Sequence, residues 1–287
     1  MELSQSISAA PGWRKLAPFG AEVENVDLAS ADDETLDWIV DLFGQNGALV
    51  VRGQDLTPDD LVRFVARFGE PQRNEGPHKL AGNEVISILS NRVVDGKPLG
   101  AHNDGVGWHT DLSFKERPAL CTLLYALEVP DEGSDTLLAD GCASYDELAE
   151  ERKAELARIG VLNSHVHFIE TREHNRRVAT DEDRARFPDV VHPLVRTHPV
   201  NGRKALWPTT GTTKDVLGAP EGQDGFAILN EVVEHMTQDR FVYRHKWQVG
   251  DVLLWDNRCS LHTGTLFDDT KYFRTMYRLW VEGDRPV

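Results

Sequence analysis

The sequence predicts a mainly β protein with helices, a closed or two-sheeted antiparallel barrel with helical decoration, and three observations predict it. Short β-rich runs separated by Gly, Pro and Asn turns fill the middle and end of the chain. Helical spacing is confined to early and inserted segments, and no regular βαβ alternation occurs. In chain order, residues 31–43 carry Leu36, Ile39, Val40 and Phe43 at helical spacing, with Asp32, Asp33 and Glu34 in the first turn, where negative charge suits the helix dipole. Leu49-Val50-Val51 follows as a β-rich run. Thr57-Pro58 supplies an N-cap with proline at the first helical position and opens a helix through Phe68. Ser144-x-x-Glu147 has the form of a capping box and predicts a helix to about residue 159, and 221–237 predicts a fourth. Strands are expected at 85–89, 120–127, 135–139, 194–197, 251–255 and 272–281. No repeat or linker interrupts the chain, so residues 1–287 read as one domain.

Composition narrows the function classes. With 287 residues, 40% hydrophobic and 27% charged, and ordinary Gly (23) and Pro (14), disordered, collagen-like and low-complexity classes are excluded. Against 47 Asp+Glu stand 31 Lys+Arg, a formal charge of −16 that repels a phosphate backbone, so no nucleic-acid partner is expected. Cys121, Cys142 and Cys259 are odd in number and lack CxxC spacing, which indicates neither a disulfide framework nor a thiolate zinc site and suits a reducing cytoplasm. The first residues lack a basic segment followed by an apolar one, and no run approaches the ~18 apolar residues that span a bilayer. A cytoplasmic protein without membrane contact is therefore expected, with self-association left open.

A His and an Asp two residues apart on a strand project to one face, which suits them to grip one ion from one side. The chain has two such pairs. His102-Asn103-Asp104 lies among Gly100, Gly105 and Gly107 without alternation and reads as a polar turn. His109-Thr110-Asp111 lies in an alternating run, where His109, Asp111 and Ser113 face opposite Trp108, Leu112 and Phe114. Taken alone, that run equally describes a strand with its polar side in solvent. His262, beyond the strand that runs into Asp256-Asn257, is placed to return to the barrel mouth as a third ligand. Two histidines and a carboxylate on one face leave three positions open, as in non-haem Fe(II) oxygenases, while zinc hydrolysis or metal binding without turnover uses the same ligand types. His78, His165, His167, His174, His192, His198, His235 and His245 lack a carboxylate at ligand spacing and read as surface or core groups. On the last strand Arg274 and Arg278 share a face, about 13 Å apart at about 3.3 Å per residue, a separation that suits two anions better than one.

Together, Trp108-His109-Thr110-Asp111, Gly133-Ser134-Asp135-Thr136-Leu137, Val195-Arg196-Thr197-His198-Pro199, Trp255-Asp256-Asn257-Arg258 with His262, and Arg274-x-x-x-Arg278 with Gly283-Asp284-Arg285-Pro286 resemble, in order and spacing, the taurine dioxygenase and phenoxyalkanoate dioxygenase family of Fe(II)/2-oxoglutarate-dependent oxygenases. The resemblance runs from about Phe19 to the C-terminus. It implies a double-stranded β-helix, or jelly roll, with helical insertions. It implies that His109, Asp111 and His262 hold Fe(II), that Thr136 and Arg274 bind the distal carboxylate of 2-oxoglutarate, and that Arg278 grips the acidic head of the substrate. The implied reaction uses molecular oxygen to oxidise a C–H bond of a small carboxylated or sulfonated compound, with release of succinate and CO2. Asn257 and Arg258 would position the turn before His262, and Trp108 and Trp280 read as barrel packing. Two features of taurine-acting members are missing. A His- and Tyr-containing stretch after Phe68-Gly69-Glu70 is replaced by Pro71-Gln72-Arg73-Asn74, and Gly105 stands where an asparagine is expected, so taurine itself is not the expected substrate.

Overall fold

The computed structural model describes residues 10–74, 76–102, 105–172 and 176–287. Two antiparallel sheets face each other across the site. The larger has seven strands in the spatial order Gly12–Lys15, Ala21–Glu24, Ala48–Val51, Val252–Asp256, Ala119–Glu128, Thr275–Glu282 and Ser87–Ser90, antiparallel except for the parallel pairing of Ala21–Glu24 with Ala48–Val51. The smaller has Thr136–Asp140 at its centre, between Val242–His245 and Ser260–Gly264. This is the mainly β jelly roll with helical insertions that the sequence and its resemblance predict.

Both faces of the large sheet are covered. On the outer face Cys121, Leu123, Tyr125, Val252, Leu254, Leu279 and Val281 pack with Leu36, Ile39, Leu61 and Phe64 from the helices Asp33–Asn46 and Pro58–Val65. On the inner face Leu124, Ala126, Leu253, Trp255 and Met276 pack with Leu138 of the small sheet. Residues of a strand alternate between faces, so Ala119–Glu128 is apolar on both and reads as a continuous hydrophobic run. The back of the small sheet, through Ala139 and Leu261, is sealed by Ile228, Leu229, Val232 and Met236 of the helix Gly225–Met236.

The helix Asp33–Asn46 is capped by the Asp32 carboxylate, which accepts from Thr35 N, and ends at Gly47 in a left-handed conformation (φ 70°), where a Cβ would meet the Phe19 ring at 2.8 Å. Thr57 and Asp60 form a reciprocal capping box on Pro58–Val65. The Ser144 expectation is corrected. Asp140 takes the cap, its carboxylate accepting from Cys142 N and Ala143 N, and opens Gly141–Asp146; a separate helix, Glu150–Leu156, follows, and Ser144 lies inside the first with its hydroxyl on Gly141 O. The alternating strand expected at 108–114 is also corrected. His109 makes one antiparallel bridge to His262, and a turn begins at Asp111, with Leu112 at φ 57° ending the extended run. Among the described residues no helix is long and apolar enough to cross a membrane, and Cys121, Cys142 and Cys259 are buried and unpaired by disulfides.

Candidate active site

His109 and His262 come from distant parts of the chain and are joined by backbone. His109 N donates to His262 O at 2.9 Å, and His262 N donates to His109 O at 2.8 Å. Their rings lie 4.1 Å apart, centroid to centroid, with Trp255 packed 4.5 Å from the His262 ring. Asp111 completes the group, Oδ1 at 3.7 Å from His109 Nε2 and Oδ2 at 3.6 Å from His262 Nε2. One donor atom from each side chain falls within 4.8 Å of the other two.

The surroundings set the orientation and protonation of all three. Gly107 O lies 2.7 Å from His109 Nδ1, and a carbonyl only accepts, so Nδ1 donates and the ring is oriented with Nε2 toward Asp111. Asp111 Oδ2 accepts from Thr122 Oγ1 at 2.5 Å and from Trp280 Nε1 at 3.0 Å. Asn257 braces the same turn: its Oδ1 accepts from Asp111 N at 3.3 Å, its carbonyl from Thr110 Oγ1 at 3.0 Å, and its amide donates to Thr122 Oγ1 at 2.8 Å. Burial raises the pKa of Asp111, yet the imidazoles of His262 and His109, the Arg278 guanidinium and the Thr122 hydroxyl outweigh it and bring it down to about 2. Burial, with His109 beside it, pushes His262 down to about 3 despite Asp111. At neutral pH Asp111 is thus a carboxylate and His262 an imidazole of depressed basicity, the states in which each binds a divalent cation.

A cleft opens on the trio and is lined also by Thr136, Arg274 and Arg278, so the residues expected to meet iron, cosubstrate and substrate reach one space. Register explains this. On the small sheet Leu138 pairs with His262 and Thr136 with Gly264, so Thr136 and His262 project from the same face. On the large sheet Arg278 pairs with Leu124 and Trp280 with Thr122, all on the inner face. The strand begins at Thr275, and Arg274 precedes it with its backbone N–H on Asn91 Oδ1. Arg274 Nε is buried without a hydrogen-bond partner among the described residues, and burial with the neighbouring Arg278 pushes its pKa down to about 10. Arg278 stacks over Trp280 at 4.2 Å. At Gly105, at φ 96°, a Cβ would lie 3.6 Å from His109 Cε1, so the absence of a side chain keeps that side of the imidazole open.

Other expectations change. Trp280 is more than packing, because its N–H holds Asp111. His198 and His245 do have carboxylate partners, Asp256 at 3.0 Å and Asp251 at 3.1 Å, supplied from distant positions that local spacing cannot reveal. Of the pair set aside at 102–104, His102 meets Asp269 at 3.1 Å, while Asn103 and Asp104, like His174, lie outside the described residues. Thr122 and Trp247, which touch site residues, carried no signal in the sequence beyond their residue types.

The family described as "Taurine catabolism dioxygenase TauD, TfdA family" matches residues 13–280. An alpha-ketoglutarate-dependent 2,4-dichlorophenoxyacetate dioxygenase of Burkholderia sp. (strain RASC) is 36% identical over 271 residues, which cover 88% of each chain. A pentalenolactone F synthase of Streptomyces arenae is 32% identical over 279 residues, covering 91% of this chain and 90% of that one. The crystal structure of AAD-2 in complex with Mn(II) and N-oxalylglycine superposes with a TM-score of 0.80 at 30% identity, over 97% of this chain and 99% of that one. With the barrel, the cleft and these likenesses in agreement, the chain belongs to the TauD/TfdA family of Fe(II)- and 2-oxoglutarate-dependent dioxygenases.

Proposed function

We propose that residues 1–287 form one catalytic domain in which His109, Asp111 and His262 hold Fe(II), Thr136 and Arg274 bind the distal carboxylate of 2-oxoglutarate, and Arg278 receives the anionic head of a small carboxylated or sulfonated substrate. One observation carries the reading: a single cleft has a two-histidine, one-carboxylate trio at one place and the half-buried Arg274 at another, whose buried Nε meets no acceptor among the described residues. The donor set fits the metal, because nitrogen and oxygen ligands on one side leave positions open, as non-haem Fe(II) requires. The cradle fits a carboxylate, because an arginine fork and a hydroxyl both donate to carboxylate oxygens. When bound, iron with 2-oxoglutarate and oxygen supplies the oxidising power for a substrate C–H bond, with succinate and CO2 as coproducts. The protein holds the ligands rigidly through Gly107, Thr122, Trp280 and Asn257, and gathers positive charge in the cleft of a chain whose net charge is −16. A zinc hydrolase with the same trio has no use for the Arg274 cradle. The buried reduced thiols support a cytoplasmic setting.

The test is succinate release from 2-oxoglutarate under oxygen, screened over small carboxylates and sulfonates and their uncharged ester or amide analogues. Turnover of anionic members with little or none of the neutral ones is expected. Equal turnover of both would remove the role of Arg278, and no succinate with any compound, together with bound zinc in the isolated protein, would overturn the oxygenase assignment.

A further inference from the structure

We propose that Trp247 is a positioning residue for the cosubstrate, its indole N–H aiming the Thr136 hydroxyl at the distal carboxylate. The inference rests on the reading of Thr136 and Arg274 as the carboxylate cradle. Trp247 Nε1 lies 3.0 Å from Thr136 Oγ1, and both residues are buried. An indole nitrogen only donates, whereas a hydroxyl has one proton and two lone pairs. The contact therefore has one direction: Thr136 accepts. A lone pair of Thr136 is thereby engaged, and its O–H must point elsewhere. Among the described residues the hydroxyl makes no other hydrogen bond, and Thr136 lines the same cleft as Arg274. The proton left over is the one a carboxylate can accept.

The indole is itself held. Its ring stands edge-on to His245, with centroids 4.4 Å apart and planes at 86°. His245 Nε2 lies 3.1 Å from Asp251 Oδ2, and that oxygen accepts from Gln248 N at 2.9 Å and pairs with Arg52 at 2.6 Å. Asp251 thus closes the 245–251 segment around Trp247, and that segment is tied to the large sheet by Gly250 N to Ala126 O at 2.8 Å and Ala126 N to Asp251 O at 2.9 Å. A hydroxyl that would otherwise rotate is fixed before the cosubstrate arrives, so less ordering remains to be done on binding.

Equilibrium binding tests this without turnover. Mn(II)-loaded protein is titrated calorimetrically with 2-oxoglutarate and, separately, with pyruvate, which has the same 2-oxo acid end and no distal carboxylate. Trp247→Phe is expected to weaken 2-oxoglutarate about tenfold, the scale of one hydrogen bond to a charged group, and to shift pyruvate by no more than about twofold. In a Thr136→Val background, Trp247→Phe is expected to add no further loss. Equal weakening of both acids, or a loss that persists in the Thr136→Val background, overturns the inference and makes Trp247 a packing residue. A Thr136→Val protein that binds 2-oxoglutarate like the parent overturns the cradle reading itself. Should Trp247→Phe fail to fold, 3-benzothienylalanine at position 247 keeps the ring shape, replaces N–H by sulfur, and is judged by the same outcomes.

Discussion

His109 and His262 exchange both backbone hydrogen bonds, at 2.9 and 2.8 Å, so the two imidazoles are brought together by the main chain before any ion is considered. Such a bridge fixes side-chain separation as a ladder does, and Asp111 joins the pair through a turn that Asn257 braces. The site is built into the closure of the barrel, where the 109–111 segment meets the Ser260–Gly264 strand.

If Asp111 holds the metal as proposed, the groups that hold its carboxylate should matter nearly as much as the carboxylate itself. Trp280→Phe removes the indole donor from Oδ2, and Thr122→Val removes the hydroxyl donor. Each is expected to lower Fe(II) or Mn(II) affinity by roughly 10- to 100-fold, read in competition with a metallochromic chelator. Unaltered affinity in both would show that the carboxylate needs no outer support.

Arg274 should trade stability for binding. Its Nε is buried and unpaired among the described residues, and burial with the neighbouring Arg278 disfavours the charged form, so holding this cation costs the fold stability. Arg274→Met is expected to raise the melting temperature of the ligand-free protein while weakening 2-oxoglutarate on the order of 100-fold, from loss of a forked, charge-assisted contact. Thermal scans with and without 2-oxoglutarate check both halves. A variant less stable than the parent would point to a partner for Arg274 within the protein.

Stability at acid pH should follow Asp256. This fully buried carboxyl is raised by burial but more strongly lowered by the Arg258 guanidinium, which it meets at 2.6 Å, and by His198 at 3.0 Å, so its pKa falls below the ordinary 3.8. A depressed carboxyl contributes stability above its unfolded pKa and loses it as pH falls toward the folded one. Arg258→Ala leaves the carboxylate buried without its main partner and is expected to cost about 3–5 kcal/mol at pH 7. Asp256→Asn, unable to titrate, is expected to show a shallower loss of stability below about pH 4 than the parent, measured by urea denaturation across pH. Parallel pH curves would assign acid sensitivity to other carboxyls.

Much of this was legible in the sequence, for reasons that differ by residue. The trio announced itself because His109 and Asp111 stand two apart and His262 follows a strand and turn; the capped helices announced themselves because Asp32 and Thr57 are local signals. The strands Gly160–Asn163, Val190–Pro193 and Thr213–Leu217 were missed, being short and packed in an inserted sheet whose pairing is long-range. Ser144 misled because the preceding strand delivers Asp140, a stronger cap, four residues earlier. Trp280 reads as packing because an indole in a barrel is usually that, Trp247 stands in no motif, and only the fold shows what each N–H meets. The His198–Asp256 and His245–Asp251 pairs have no local signature at all.

The central claim is that His109, Asp111 and His262 bind one iron on which 2-oxoglutarate then chelates. Its most direct measurement is the visible absorption of the protein mixed anaerobically with Fe(II) and 2-oxoglutarate. A weak charge-transfer band is expected for the parent and none for His109→Ala; a band of full strength in His109→Ala would contradict the account.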